Sequence, residues 1–184
     1  MGKRGKLLVI SGPSGTGKST VIRHLMAQMD GLEFSVSATT RAPRPGETDG
    51  KDYFFVTRER FDEMVANDEL LEHATFVGNS YGTPRSQVEQ RMDNGITVIL
   101  DIEVQGAAQV KAKMPEAITV FLAPPSLEAL EQRLRGRGTE TEEKISARLK
   151  TAEKELLLAP SYDYTVINNV PDDAASEIRA ILES

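Results

Sequence analysis

The chain has 184 residues, 39% of them hydrophobic, with a formal net charge of −6 and no cysteine. That length suits one domain with a proper core, and the absence of Cys excludes disulfides, zinc-thiolate sites and thiol nucleophiles. The acidic balance argues against a nucleic-acid partner, which normally meets a basic surface, but not against a pocket that gathers a few arginines around a small anion.

No apolar run approaches the roughly 18 residues needed to span a bilayer. The basic start, Met1-Gly2-Lys3-Arg4-Gly5-Lys6, precedes only Leu7-Leu8-Val9-Ile10, too short for the hydrophobic region of a signal peptide. A cytoplasmic protein without a membrane partner is expected. Along the chain, short apolar runs alternate with amphipathic stretches, the pattern of an α/β fold with a parallel sheet. Leu7–Ser11 reads as the first strand, Lys18–Met29 as a helix and Phe34–Ala38 as the next strand. From Thr39 to Gly82 the chain is rich in Gly, Pro and charge, and Tyr53-Phe54-Phe55-Val56 suggests an excursion with its own small sheet. Strand Thr97–Asp101, helix Glu103–Met114 and strand Ile118–Leu122 follow. Ser126 is a good N-cap for a helix with Leu127, Leu130 and Leu134 on one stripe. The Gly-bearing, charged stretch from Arg135 to Thr141 reads as a mobile hairpin. Beyond it a helix carries Ile145, Leu149, Ala152 and Leu156 on one face, then come strand Thr165–Asn168 and helix Ala174–Leu182.

The strongest motif is Gly12-Pro13-Ser14-Gly15-Thr16-Gly17-Lys18-Ser19, which fits G-x-x-x-x-G-K-[ST] at every fixed position. It lies directly after an apolar strand and at the start of a helix, where its chemistry requires it. Glycines let the backbone curl so that N–H groups face phosphate oxygens, and the helix N-terminus adds partial positive charge. Lys18 would reach the β- and γ-phosphates, and the Ser19 hydroxyl would ligate Mg²⁺. The strand ending in Asp101 offers a second metal-side carboxylate, acting directly or through water. The marks of a GTPase are missing: Gly106 stands five residues after Asp101, so there is no Asp-x-x-Gly, and Asn168-Asn169-Val170-Pro171 is not Asn-Lys-x-Asp. A kinase with a small acceptor is the better reading.

A second set of motifs carries a specific resemblance. Ser35-Val36-Ser37-Ala38-Thr39-Thr40-Arg41-Ala42-Pro43-Arg44 and Gly50-Lys51-Asp52-Tyr53-Phe54-Phe55 are followed by Glu69-Leu70-Leu71-Glu72-His73, Gly78-Asn79-Ser80-Tyr81-Gly82-Thr83, Asp101-Ile102-Glu103-Val104-Gln105-Gly106 and Arg133-Leu134-Arg135-Gly136-Arg137-Gly138-Thr139-Glu140. In order and spacing these resemble the guanylate kinase family, from the phosphate loop to about Asn169. The chain departs from common family patterns at Ser80, where many bacterial members have Tyr, and at Pro84 after Thr83.

The resemblance implies the P-loop nucleoside monophosphate kinase fold: a core (about residues 1–37, 88–125 and 157–184), a GMP-binding part (about 38–87) and a lid (about 126–156). It implies transfer of the γ-phosphoryl group of ATP to GMP with Mg²⁺, in purine nucleotide metabolism, with no obligate protein partner. It implies that Arg41, Arg44, Tyr53 and Tyr81 hold the GMP phosphate. Arg forks suit phosphate, and tyrosyl hydroxyls add hydrogen bonds without charge. Glu72 and an acid of the pair Asp101 and Glu103 would face the guanine N1–H and N2 amine, while Ser37 and Thr83 supply hydroxyls. Asp101 and Glu103 are two apart at a strand end and hence expected on one face; which reads guanine and which leans toward Mg²⁺ is left open. Arg133, Arg137 and Arg148 would face the ATP phosphates, with Lys18, Arg41, Arg137 and Arg148 acting on the transferring group. Two other readings compete: a non-catalytic scaffold of the same fold, disfavoured by the intact phosphate loop, and a kinase for another nucleoside monophosphate, disfavoured by Glu72 and its hydroxyls.

Overall fold

The computed structural model describes residues 2–184. In chain order its elements are β1 (Leu7–Ser11), α1 (Lys18–Gln28), β2 (Leu32–Phe34), β3 (Ala38–Thr39), β4 (Phe54–Phe55), α2 (Arg58–Ala66), β5 (Leu70–Phe76), β6 (Asn79–Pro84), α3 (Arg85–Asp93), β7 (Thr97–Asp101), α4 (Val104–Lys113), β8 (Ile118–Ala123), α5 (Leu127–Gly136), α6 (Glu142–Leu156), β9 (Tyr164–Ile167) and α7 (Pro171–Glu183). One sheet has the order β2-β7-β1-β8-β9, and a second has β4-β3-β6-β5. In the first, β2 runs parallel to β7 with Leu32 beside Thr97, and β8 runs parallel to β9 with Val120 beside Tyr164. Among the described residues, no helix is long and apolar enough to cross a membrane.

By contacts the chain divides into two compact units: one holds the segment up to Leu8 with Gly31–Leu100 and Gln105–Ala117, the other Val9–Asp30, Asp101–Val104 and Ile118–Ser184. In the second unit, α1 buries Val21, Ile22 and Leu25, one stripe of a helix that opens straight from the phosphate loop. The Ser126 hydroxyl accepts from Ala129 N–H at 3.0 Å, so the N-cap read from the sequence holds α5 in place. Thr141 caps α6 in the same manner. Between these helices Leu130, Leu134, Ile145 and Ala152 form a closed apolar cluster, with Leu127 and Leu149 packed against it. α7 begins with Pro171 at its first position, where a missing N–H costs nothing. Its Asp172 accepts from Gln28 and faces the ring of His24 at 3.2 Å, a structural contact for that mid-helix histidine.

In the first unit the expected strand Phe34–Ala38 is corrected. The run breaks after Phe34: Ser35 N–H still bonds the Ile99 carbonyl, but the chain then leaves this ladder and enters the second sheet at Ala38. The excursion does carry its own sheet and one helix, α2; a second helix, α3, follows just beyond it, and the sequence pattern separated neither. Each buries only two large side chains, Phe61 and Met64 in α2, Val88 and Met92 in α3. Phe61 and Met64 close a small core with Ala38 and Leu70, flanked by Phe54 and Val56. The β5–β6 hairpin turns through Val77 and Gly78, both with positive φ (49° and 75°), and Phe76 and Val77 stand exposed at its tip.

Candidate functional site

In the second unit the phosphate loop is built by backbone geometry. A Cβ on Gly12 would lie 2.2 Å from the carbonyl oxygen of Leu122 on β8, so the loop is pressed against the sheet at a point where only Gly fits. Gly17 adopts φ 83° and is the N-cap of α1, with no side chain covering the helix's first N–H groups. Those donors are therefore directed at whatever occupies the loop. The loop is also clamped from behind: the carbonyl of Thr16 accepts from Asn168 Nδ2 at 2.6 Å and from Arg133 Nη1 at 3.4 Å. Arg133 Nη2 also donates to the Asn168 carbonyl at 2.9 Å. Asn168 is only 2% exposed.

Ser14 to Ser19, Asp101 and Arg137 line one cavity of about 260 Å³. Lys18 Nζ donates to the Gly12 carbonyl at 2.9 Å and stands 3.7 Å from Asp101 Oδ1. Arg148 donates to the Ser14 hydroxyl at 3.0 Å and pairs with Glu140 at 2.6 Å. These groups thus gather around the loop. Arg133 differs from Arg137: its guanidinium is spent on two backbone carbonyls. α5 ends at Gly136, and Arg137 continues its right-handed turn as the cap residue. A correction applies to the acid pair, because β7 ends at Asp101 and Glu103 lies beyond the strand. The strand alternation from which a shared face was expected therefore does not extend to Glu103. Among the described residues no group of three or more His, Cys, Asp or Glu side chains is arranged to hold a metal ion.

In the first unit two constellations stand out. The Arg41 guanidinium pairs with both carboxylate oxygens of Glu47, at 2.9 and 2.8 Å, and lies 5.1 Å from the ring centre of Tyr53 and 5.9 Å from that of Phe55. Glu47 also accepts from the Arg44 N–H, while the Arg44 side chain is exposed. The hydrogen bond from Arg41 holds the Glu47 carboxyl down to about 2, and the Glu47 carboxylate, with smaller contributions from Tyr53 and Tyr81, holds Arg41 firmly charged. Tyr53 and Tyr81 meet edge to face at 6.1 Å. The second constellation is Glu72, 8% exposed, whose Oε1 accepts from the Thr83 hydroxyl at 2.8 Å. Burial raises the Glu72 pKa, and the Thr83 hydrogen bond partly offsets this. Thr83 spends its one proton on Glu72, so it orients the acid and has none left for a ligand carbonyl. Ser37 lies just before β3, half-buried, its carbonyl bonded by Phe54 N–H. Ser80 is buried and accepts from Arg58 at 2.7 Å.

Sequence reasoning missed Glu47 and Asn168. Glu47 sits in a charged loop with no local signal, and Asn168 could be read only as the polar end of an apolar strand.

A family model described as Guanylate kinase matches residues 4–184. A guanylate kinase from Streptococcus thermophilus is 51% identical over 185 aligned positions, covering 100% of this chain and 88% of its own length. One from Lactococcus lactis subsp. lactis is 51% identical over 184 positions, covering 100% and 90%. In three dimensions the chain is similar to the crystal structure of guanylate kinase from Anaplasma phagocytophilum, with a TM-score of 0.71 and 38% identity over 98% of this chain and 86% of that one.

Proposed function

The chain belongs to the guanylate kinase family, and from that premise we propose which of its residues perform the family's reaction. It is an ATP-dependent nucleoside monophosphate kinase that phosphorylates GMP. On this reading the loop Gly12–Ser19 and Lys18 hold the ATP phosphates, with Arg137 and Arg148 neutralising charge on the transferring group. Arg133 acts chiefly by bracing Thr16. Arg41, Arg44, Tyr53 and Tyr81 hold the GMP phosphate. Glu72 accepts from the guanine N1–H and N2 amine, an acid of the Asp101 and Glu103 pair is assigned to the same base, and Ser37 remains as the hydroxyl donor to O6.

Transfer is in line and direct. A phosphate oxygen as nucleophile needs no general base, so positioning and electrostatics do the work. The working division is a core, an acceptor part over about residues 38–87 and a lid over about 126–156 whose closure excludes water. Mg²⁺ suits the donor set: a hydroxyl at Ser19, one carboxylate at Asp101 and the ligand's own phosphates are what this hard cation prefers over an all-protein cage. When bound, it supplies charge neutralisation on the β- and γ-phosphates. Both substrates are intracellular metabolites, which makes the cytoplasm the expected location.

The observation that carries the acceptor assignment is the Glu72–Thr83 pair. A buried carboxylate with a single partner is costly unless a ligand brings more donors, and guanine brings two on adjacent atoms. Adenine shows a bare acceptor there and would be repelled. Initial rates with ATP against GMP, dGMP, AMP and UMP test this, with Glu72→Gln alongside. GMP should be strongly preferred, dGMP weaker, and Glu72→Gln should lose most of the preference. Comparable kcat/KM on AMP or UMP by the wild-type chain refutes the assignment.

A further inference from the structure

Glu72 lies on β5, the edge strand of the four-stranded sheet, so the outer backbone groups of β5 face no further strand. Helix α4 covers them with side chains instead. Gln109 Nε2 donates to the His73 carbonyl at 3.3 Å, and the His73 N–H donates to Gln109 Oε1 at 3.1 Å. One primary amide thus presents the donor and acceptor that a neighbouring strand residue would present. One helical turn on, Lys113 Nζ donates to the Leu70 carbonyl at 2.8 Å and pairs with Asp68 at 2.6 Å.

The two backbone positions held in this way are the ends of a β-bulge. Leu70 pairs with Pro84 but His73 pairs with Gly82, so Leu71 and Glu72 together oppose Thr83. A bulge interrupts the ladder and re-aims a side chain, and its direction is fixed by whatever holds its flanks. Here the inner side is fixed by the approach of Gly82, where a Cβ would come within 3.0 Å of the Glu72 carbonyl. The outer side is fixed by Gln109 and Lys113. Lys113 gives the strand backbone one contact, to the Leu70 carbonyl, whereas Gln109 makes a two-point contact that sets orientation as well as distance.

We propose that Gln109 is a positioning residue for guanine specificity: by holding the His73 peptide it fixes the direction of the Glu72 carboxylate in the bulge. This rests on the reading of Glu72 as the guanine acceptor. Gln109 touches no nucleotide and acts only through the strand.

The test compares GMP with IMP, which lacks the N2 amine and so forgoes part of what Glu72 offers. In Gln109→Met, which keeps the side-chain length and loses both hydrogen bonds, the ratio of kcat/KM for GMP over IMP falls about fivefold, the effect of one misdirected hydrogen bond. KM for ATP stays unchanged. A merely structural role would lower the thermal midpoint and the active fraction for both substrates alike; an unchanged ratio therefore overturns the inference. Glu72→Gln is measured in parallel. If it lowers the ratio while Gln109→Met does not, the inference fails and the acceptor reading stands. If neither lowers it, the acceptor reading fails and takes the inference with it. A fall for Gln109→Met alone also overturns it, because the effect would not pass through Glu72. Should Gln109→Met not fold, Gln109→Glu serves the same comparison, since it keeps the acceptor for His73 N–H and sets a negative oxygen against the His73 carbonyl.

Discussion

The phosphate loop and the segment around Arg41 are assigned the same kind of group, a phosphate, yet they are built by opposite means. The loop is shaped by its backbone: Gly12 lies against the Leu122 carbonyl, Gly17 is left-handed, and Asn168 and Arg133 hold the Thr16 carbonyl from behind. Around Arg41 the shape comes from side chains, with a carboxylate gripping the guanidinium on one side and aromatic rings lying beside it. A backbone site tolerates little added volume, because nothing in it can rotate away. A side-chain site tolerates volume but depends on every charge, since Glu47 is, among the described residues, the one carboxylate paired with Arg41 before a ligand arrives.

The largest effect expected from this contrast is at the one cation of the loop. Lys18→Ala should lower the transfer rate by about 10²–10³-fold, the usual loss for a group aimed at developing charge. Its thermal midpoint should stay near that of the parent. Near-normal turnover would break the loop assignment. Next comes the acceptor segment, where Arg41→Met should raise the GMP requirement and slow transfer, together about ten- to a hundredfold for a lost charge-assisted contact. Calorimetry should find ATP binding alone unaffected. If ATP binding weakened and GMP were spared, the two sites would be assigned the wrong way round.

A smaller effect probes the backbone side directly. In Gly17→Ala the new Cβ meets Asn168 Nδ2 at 2.9 Å with φ at 83°, and this should cost about 1–2 kcal/mol in thermal or denaturant unfolding. Asn168→Ala in the same chain should relieve the collision, but it leaves the left-handed strain and also removes the hydrogen bond to the Thr16 carbonyl, so it should not restore the parent's stability.

The smallest effect is in pH dependence, where Glu47 and Glu72 have opposite signs. Folded Glu47 binds its proton more weakly than in the unfolded chain, so its contribution is complete above the ordinary carboxylate pKa and fades as pH falls toward about 2. Folded Glu72 binds its proton more tightly, so its contribution favours the protonated state and is lost as pH rises through its raised pKa. Glu47→Gln should therefore lower the unfolding midpoint at neutral pH and converge with the parent on acidification. Glu72→Gln without GMP should be neutral or stabilising at pH 7. Midpoints across an acid-to-neutral series distinguish the two.

The parts of the molecule that could be read from sequence are those whose signals are local. The phosphate loop is a contiguous string, α5 announces itself by Ser126 and a leucine stripe, and β7 ends where its apolar run meets Asp101. The Phe34–Ala38 run misled because its apolar pattern is continuous although its partners change midway, from the ladder of β7 to that of β6. α2 and α3 were hidden because two buried side chains apiece make too weak a stripe among charged neighbours. The bulge at Leu71 and Glu72, and the reach of Gln109 to His73 across 36 residues of sequence, exist only once strands and helix are assembled. Individual site residues were therefore legible, but what holds them in place was not.

The turn at the tip of β5 and β6 has a different lesson. A two-residue hairpin with both central residues left-handed favours Asn-Gly, yet this one uses Val77 before Gly78, a β-branched residue at φ 49° that is 81% exposed. Val77→Asn would relax the backbone and remove an apolar tip while touching no residue assigned to a nucleotide. Natural chains drift just above the stability they need, and selection removes only what drops them below it. The Val77 turn is that drift made visible: a local cost unrelated to catalysis, kept because the rest of the fold can carry it.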